Sequence, residues 1–128
     1  MRLLLDTHVL LWTLAGSPRI NNVKALILSE ESEVFVSTVS WWELATKISI
    51  GKLAGDLPTL RQAVKDSGIL ELMVKGEHAE LLVSLPLLHR DPFDRMLVAQ
   101  AMAEPMRLIT ADAVLAQYTD LVMLLSVC

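Results

Sequence analysis

The segment Glu33-Val34-Phe35-Val36-Ser37 decides the fold, because it is a short, β-branched and almost continuously apolar run. Such runs are typical of strands that are buried on both faces of a sheet. A helical pattern follows at once over residues 39–50, and the same alternation recurs along the chain. Strands that alternate with helices predict a parallel sheet covered by helices on both faces.

Working outward from that segment, the spacing of apolar residues predicts the other elements. Strands are expected at residues 2–5, 33–37, 69–74, 107–110 and 121–127. Helices are expected at residues 7–15, 18–31, 39–50, 57–67, 77–85, 92–104 and 112–118. The helix that follows Asp91 has the clearest start, since Asp91 stands at the N-cap and Pro92 at the first helical position. Residues 1–128 are therefore predicted to form a single α/β domain with a central parallel sheet of four to five strands.

The composition excludes several classes of protein. With 53% hydrophobic and 20% charged residues, the chain is not intrinsically disordered. Its mean hydropathy is +0.48, yet no apolar run approaches the ~18 residues that a membrane span needs. The net charge of −4 differs from the basic balance of non-specific nucleic-acid binders. Cys128 is the single cysteine, which excludes a cysteine-based metal cluster and favours a reducing cytoplasm.

Three of four candidate acidic residues stand where a parallel sheet places its active site, outside the carboxyl ends of the strands, and the fourth lies on a helix that starts there. Asp6 directly follows the first strand, and Asp112 follows the strand at residues 107–110. Glu43 lies one turn into the helix after the second strand, and Asp94 opens the long helix. Carboxylates that share a pocket repel one another unless they keep protons or bind a divalent cation. Oxygen ligands favour Mg²⁺ or Mn²⁺, which predicts a metal-dependent phosphodiester hydrolase.

Each acid also has a purely structural interpretation. Asp6 and Asp112 could cap the helices that follow them. Asp94 is favourable near a helix N-terminus without any metal. Glu43 lies among tryptophans and aliphatic residues and needs a partner there, for which Lys47 at i+4 is the candidate. The residues alone leave both interpretations open.

Four stretches of the chain together resemble the PIN-domain family, and more narrowly the VapC-type ribonuclease toxins of bacterial toxin–antitoxin pairs. They are LLLDTH (3–8), SWWELATK (40–47) with GKL (51–53), HRDPFDR (89–95) and LITAD (108–112). The resemblance covers essentially the whole chain. It implies a three-layer α/β/α domain and a cytoplasmic endoribonuclease that hydrolyses RNA with water activated by Mg²⁺ or Mn²⁺. It also implies a homodimer and a cognate antitoxin peptide as partner.

The resemblance assigns catalysis and metal binding to the same four acids. Asp6, Asp94 and Asp112 would hold the ion, and Glu43 would complete the set or orient a water. Supporting roles are predicted for Thr7, Asp91 and Thr110. Contacts to RNA or to the antitoxin are predicted for Lys47, Arg90 and Arg95.

Other functions and roles stay open. The chain could be a structure-specific DNA or RNA nuclease of the same fold, or a non-catalytic module whose carboxylates bind a metal. His89 could act as a general acid, although an isolated histidine is more often a surface or capping residue. The remaining histidines, His8 and His78, are interpreted as structural. The tryptophans favour core or dimer packing over stacking on bases: Trp12, Trp41 and Trp42.

Overall fold

A computed structural model describes residues 1–125 of the chain. The strands are β1 (Arg2–Leu5), β2 (Glu33–Ser37), β3 (Leu70–Leu72), β4 (Arg107–Thr110) and β5 (Val122–Leu124). The α-helices are α1 (Thr7–Ala15), α2 (Lys24–Leu28), α3 (Thr38–Ser49), α4 (Leu57–Asp66), α5 (Gly76–Leu82) and α6 (Pro92–Ala103). The strands form one parallel sheet in the order β3-β2-β1-β4-β5, which confirms the predicted α/β class.

The continuous apolar strands separate two cores. In β1, Leu3 and Leu5 belong to one core and Leu4 to the other, and all three side chains are fully buried. Successive side chains of a strand point to opposite faces of the sheet. One core includes Val9 of α1, and the other includes Leu97 of α6. The sheet is therefore covered on both faces, as the three-layer prediction requires.

Several predicted elements differ in extent. The helix expected at residues 18–31 is instead a 3₁₀ turn at Pro18–Ile20 followed by the short α2. Asn21 lies between them, and asparagine favours turns over helix interiors because its side chain competes for backbone hydrogen bonds. The helix expected at residues 112–118 is a 3₁₀ segment at Ala113–Gln117. The strand expected at residues 121–127 is only partly covered, because residues 126–128, with Cys128, lie outside the described residues.

The start of α6 agrees with the prediction and orients an acid of the site. The Asp91 carboxylate accepts hydrogen bonds from the amides of Phe93 at 2.8 Å and Asp94 at 3.2 Å. Asp91 is thus the N-cap and Pro92 the first helical residue. This cap fixes the backbone on which the Asp94 side chain stands.

A buried polar network joins the ends of α5 and α6 to β1. The imidazole of His78 is fully buried, accepts a hydrogen bond from the Lys75 amide at 3.0 Å and lies 2.7 Å from the Glu104 carboxylate. Arg2 contacts the same carboxylate at 3.4 Å. These bonds satisfy polar groups inside the domain, which supports the structural interpretation of His78. No helix within residues 1–125 has the length and apolar character to cross a membrane.

Candidate active site

The candidate site lies where the order of the strands reverses. The chain passes from β1 to β2 on one side, whereas β4 later pairs with the other side of β1. The loops that leave β1 and β4 therefore diverge and open a crevice at the carboxyl edge of the sheet. Asp6 follows β1 directly, and its amide donates to the Ile109 carbonyl of β4 at 3.1 Å.

Asp6 is buried in this crevice and held by two hydrogen bonds. One carboxylate oxygen accepts from the Val9 amide at 2.8 Å, which caps α1, and the other accepts from the Thr110 hydroxyl. Burial raises the pKa of Asp6, while the bonds from Thr110 and Val9 oppose that rise. Asp6 is therefore a helix cap and also a member of the polar pocket.

Glu43 is buried on α3 and has partners on both carboxylate oxygens. Its Oε1 lies 2.7 Å from the Thr7 hydroxyl, and its Oε2 accepts from the Lys47 ammonium at 2.9 Å. Thr7 Oγ1 is also 2.9 Å from the Ser40 hydroxyl. The carboxylate can only accept, so Thr7 donates to Glu43 and accepts from Ser40. The structural interpretation, in which Lys47 balances this acid, is present in the structure.

Asp112 and Asp94 meet at His89. The Asp112 carboxylate accepts from the Val114 amide at 3.0 Å through Oδ1 and lies 2.7 Å from Nε2 of His89 through Oδ2. The same nitrogen is 3.5 Å from Oδ2 of Asp94. Ligand atoms of these three side chains all lie within 4.8 Å of one another. Thr110 connects them to Asp6, since its hydroxyl accepts from the Asp112 amide at 3.1 Å.

The pKa of Asp94 shows which of the predicted acids lie close enough to affect it. The pKa of Asp94 is raised to about 7, first by burial and then by the charges of other carboxylates, whereas His89 opposes the rise. Those carboxylates are Asp91, Asp6 and Glu43. Asp6 and Glu43 are therefore close enough to act on Asp94, although within residues 1–125 they lie outside the 4.8 Å group around His89.

The donor chemistry of the pocket fits a divalent cation. Asp6, Asp94 and Asp112 offer carboxylate oxygens, and the crevice has no thiolate among residues 1–125. Asp94 is ionised only at a cost, as its raised pKa shows, and a cation would relieve that cost. Hydrogen bonds already orient Asp6 and Asp112, as the outer partners of metal ligands commonly do.

A family model described as the PIN domain matches residues 3–121. The chain belongs to the PIN domain family. The match spans β2, β3 and β4, all but the first residue of β1, and the crevice between β1 and β4.

Individual relatives agree with this assignment. The PIN domain described here is 30% identical over 115 residues to "Ribonuclease VapC22" of Mycobacterium tuberculosis, with 85% of each chain covered. Its fold is similar to a crystal structure of VapBC2 from Rickettsia felis bound to a promoter DNA fragment (TM-score 0.72, 15% identity, 95% and 96% coverage). It is also similar to a toxin–antitoxin complex from Klebsiella pneumoniae (TM-score 0.63, 19% identity, 94% of both chains).

The basic residues predicted to contact RNA or the antitoxin occupy three different environments in the PIN domain. Lys47 is half-buried and bonded to Glu43. Arg90 is exposed beside the start of α6. Arg95 is half-buried and donates to the Leu85 carbonyl at 3.1 Å, which ties α6 to the loop before it. Their contacts with RNA or an antitoxin stay predictions.

The three tryptophans also differ. Trp41 is buried and donates its indole N–H to Glu71 at 2.6 Å, as expected for a core residue. Trp12 is half-buried and stands among the side chains packed on the core. Trp42 is 67% exposed, and its ring packs edge-on against Phe93 with centroids 5.2 Å apart. Core packing is therefore wrong for Trp42 within this chain.

Sequence reasoning missed Ser40 and did not place His89. Ser40 stands three residues before Glu43, a spacing that puts both side chains on one face of α3, so the signal was available. His89 is joined to Asp112, which lies 23 residues further along the chain, and no local pattern encodes that contact. The motif HRDPFDR places His89 near Asp94 but does not indicate which atoms it contacts.

Proposed function

We propose that this PIN domain is a metal-dependent endoribonuclease toxin of a type II toxin–antitoxin pair. It hydrolyses RNA phosphodiesters with water activated by Mg²⁺ or Mn²⁺, and its acidic tetrad is Asp6, Glu43, Asp94 and Asp112. The similarity to a ribonuclease of the VapC group supports the choice of RNA as substrate. We expect it to act in the cytoplasm, a reducing compartment that the single cysteine of the sequence favours.

One observation carries the proposal, namely a set of carboxylates that repel one another at the carboxyl edge of a parallel sheet. The pKa of Asp94 rises to about 7 because this acid is buried beside other carboxylates. A protein that needed only helix caps would gain nothing from that repulsion. Perturbed carboxylates in a crevice are typical of sites where charge serves a reaction.

The residues of the crevice divide into ligands and side chains that orient them. Asp6, Asp94 and Asp112 would hold the ion, and Glu43 would complete the set or orient the attacking water. Such a cation lowers the pKa of water and offsets the charge that develops on the phosphodiester.

The orienting bonds are already made in the structure. Thr110 holds Oδ2 of Asp6 and the Asp112 amide, and Thr7 holds Glu43. Lys47 lies 2.9 Å from Glu43 and balances the charge of this buried carboxylate.

Cleavage of single-stranded RNA with and without EDTA tests the proposal directly. The wild-type protein should cut in Mg²⁺ or Mn²⁺, leaving a 5′-phosphate and a 3′-hydroxyl, and EDTA should stop it. Asp6→Asn and Asp94→Asn should abolish cleavage, whereas the matched change Asp120→Asn at an exposed position should not. Persistence of cleavage in the two tetrad variants would contradict the assignment. Equal cleavage of duplex DNA would favour a structure-specific nuclease, and cation binding without cleavage would favour a binding module.

The partners of the toxin follow from the same proposal. A cognate antitoxin peptide is supported by the toxin–antitoxin complexes that share this fold. A homodimer is supported by several large apolar side chains that are more than half exposed: Leu28, Trp42, Ile50, Met73, Val83 and Leu87. Exposed apolar surface of this kind marks interfaces. Light scattering on the purified toxin, alone and with its antitoxin, measures both assemblies.

A further inference from the structure

His89 is anchored more firmly than a surface histidine requires. Its amide donates to the Tyr118 hydroxyl at 2.9 Å. Its Nδ1 accepts from the Asp91 amide at 3.0 Å. Its Nε2 lies 2.7 Å from Oδ2 of Asp112 and 3.5 Å from Oδ2 of Asp94. Both its backbone and its ring are therefore held between the start of α6 and the segment after β4.

The bond at Nδ1 decides which nitrogen carries the hydrogen. A neutral imidazole has one N–H and one acceptor nitrogen. Since Nδ1 accepts from the Asp91 amide, the hydrogen is on Nε2. Nε2 then donates to Asp112 and has no lone pair for a cation. His89 is thus a hydrogen-bond donor to Asp112. It is not a metal ligand, although it lies close enough to Asp94 and Asp112 to share a cation with them.

We propose that His89 is a positioning residue, which fixes the Asp112 carboxylate for cation binding through Nε2–H and couples it to the helix that bears Asp94. The inference rests on the proposed function, because it assumes that the pocket binds a divalent cation. The Val114 amide holds Oδ1 of Asp112, and His89 holds Oδ2, so the carboxylate cannot rotate freely. Mutation of a residue that holds a metal ligand in this way commonly weakens metal affinity by about 10- to 100-fold.

Two substitutions separate the two ring nitrogens. In His89→Asn, the amide oxygen stands near the position of Nδ1, so the bond from Asp91 can persist while the donor to Asp112 is lost. In His89→Gln, the amide N–H stands near the position of Nε2, so the donor to Asp112 is restored. Tyr118→Phe removes the hydroxyl that accepts from the His89 amide. It perturbs the position of the His89 imidazole without changing the imidazole itself.

Mn²⁺ affinity, measured by electron paramagnetic resonance on the full chain, is the primary readout. We expect His89→Asn to bind Mn²⁺ about 10- to 100-fold more weakly than wild type, and His89→Gln to recover most of that loss. Tyr118→Phe should show a smaller loss in the same direction. The KM for RNA should change little, whereas kcat at a fixed Mn²⁺ concentration should fall with Mn²⁺ occupancy. Melting temperatures in EDTA identify any variant that fails to fold, and Tyr118→Phe then carries the test.

The outcomes distinguish this inference from the proposed function. Wild-type affinity in His89→Asn would overturn the positioning role. An equal loss in both His89 variants, with an altered preference between Mn²⁺ and Mg²⁺, would also overturn it and make the imidazole a ligand. Failure of the wild-type protein to bind Mn²⁺ would instead remove the proposed cation site, and this inference with it.

Discussion

Replacing Asp94 by asparagine should stabilise the cation-free protein at neutral and alkaline pH. The pKa of Asp94 is raised from its ordinary value of 3.8 to about 7, first by burial and then by neighbouring carboxylates. Once the pH exceeds this value, folding must keep an ionised group in an unfavourable pocket. Asparagine has nearly the same shape and carries no charge. The substitution alters one side-chain contact, the long one of 3.5 Å between Oδ2 of Asp94 and Nε2 of His89.

The size of the effect follows from the shift in pKa. A difference of about 3 pKa units corresponds to roughly 4 kcal/mol of unfolding free energy. The Asp94 side chain is 21% exposed, so solvent screens part of this energy and we expect a gain of roughly 1–3 kcal/mol. For a domain of this size, that gain raises the melting temperature by about 3–12 °C.

The gain must also grow with pH. Because the pKa of Asp94 is higher in the folded state than in the unfolded state, the folded protein binds more protons between about pH 4 and pH 7. The wild-type protein therefore loses stability as the pH rises through this range. The Asp94→Asn variant lacks that loss, so the two proteins should be similar near pH 4 and differ most above pH 7.

Urea unfolding in EDTA between pH 4 and pH 8 measures the effect. Asp120→Asn is the matched control, since it removes an exposed carboxylate that makes none of the contacts of the site. Equal stability of wild type and Asp94→Asn at pH 8, or a difference that does not widen with pH, would refute the reasoning. Added Mg²⁺ or Mn²⁺ should stabilise the wild-type protein and not the variant.

Four further substitutions test other parts of the structure. Thr110→Val removes the donor to buried Asp6 and should cost about 1–3 kcal/mol in urea unfolding, with weaker Mn²⁺ binding. The pKa of Glu104 is lowered, chiefly by a hydrogen bond from buried His78. The free energy of unfolding that this carboxylate contributes is therefore lost as the pH falls. In Glu104→Gln, urea unfolding at acidic pH should depend less on pH than in the wild-type protein. Trp41→Phe should destabilise the protein by about 1–3 kcal/mol, whereas exposed Trp42→Phe should change thermal stability by less than about 0.5 kcal/mol.

The sheet could be predicted because burial on both faces leaves a local mark in the sequence. Leu3, Leu4 and Leu5 are consecutive and apolar, and the two cores that they enter explain why none is polar. The break within residues 18–31 could not be predicted from apolar spacing alone. Apolar residues continue there at helical intervals, whereas the turn at Asn21 depends on which backbone carbonyls accept hydrogen bonds.

Side-chain partners within the site were less predictable than the positions of the acids. The order of strands and helices indicates where Asp6 and Asp112 stand along the chain. It does not indicate that Thr110 lies between them or that His89 contacts Asp112. The contacts of Thr110 with Asp6 and of His89 with Asp112 join residues that are distant in sequence, and they depend on side-chain conformations that the spacing of residue types does not specify.

Helix capping and cation binding are compatible at one aspartate, because a carboxylate has two oxygens and about four lone-pair sites. In both Asp6 and Asp112, the cap uses Oδ1, and a side-chain donor holds Oδ2. Among residues 1–125, Asp94 has no such pair of bonds, and burial beside other carboxylates raises its pKa to about 7. Loss of the Asp94 proton should therefore limit cation binding. Mn²⁺ affinity should strengthen as the pH rises through about 7, and a pH-independent affinity would show that Asp94 is not a ligand.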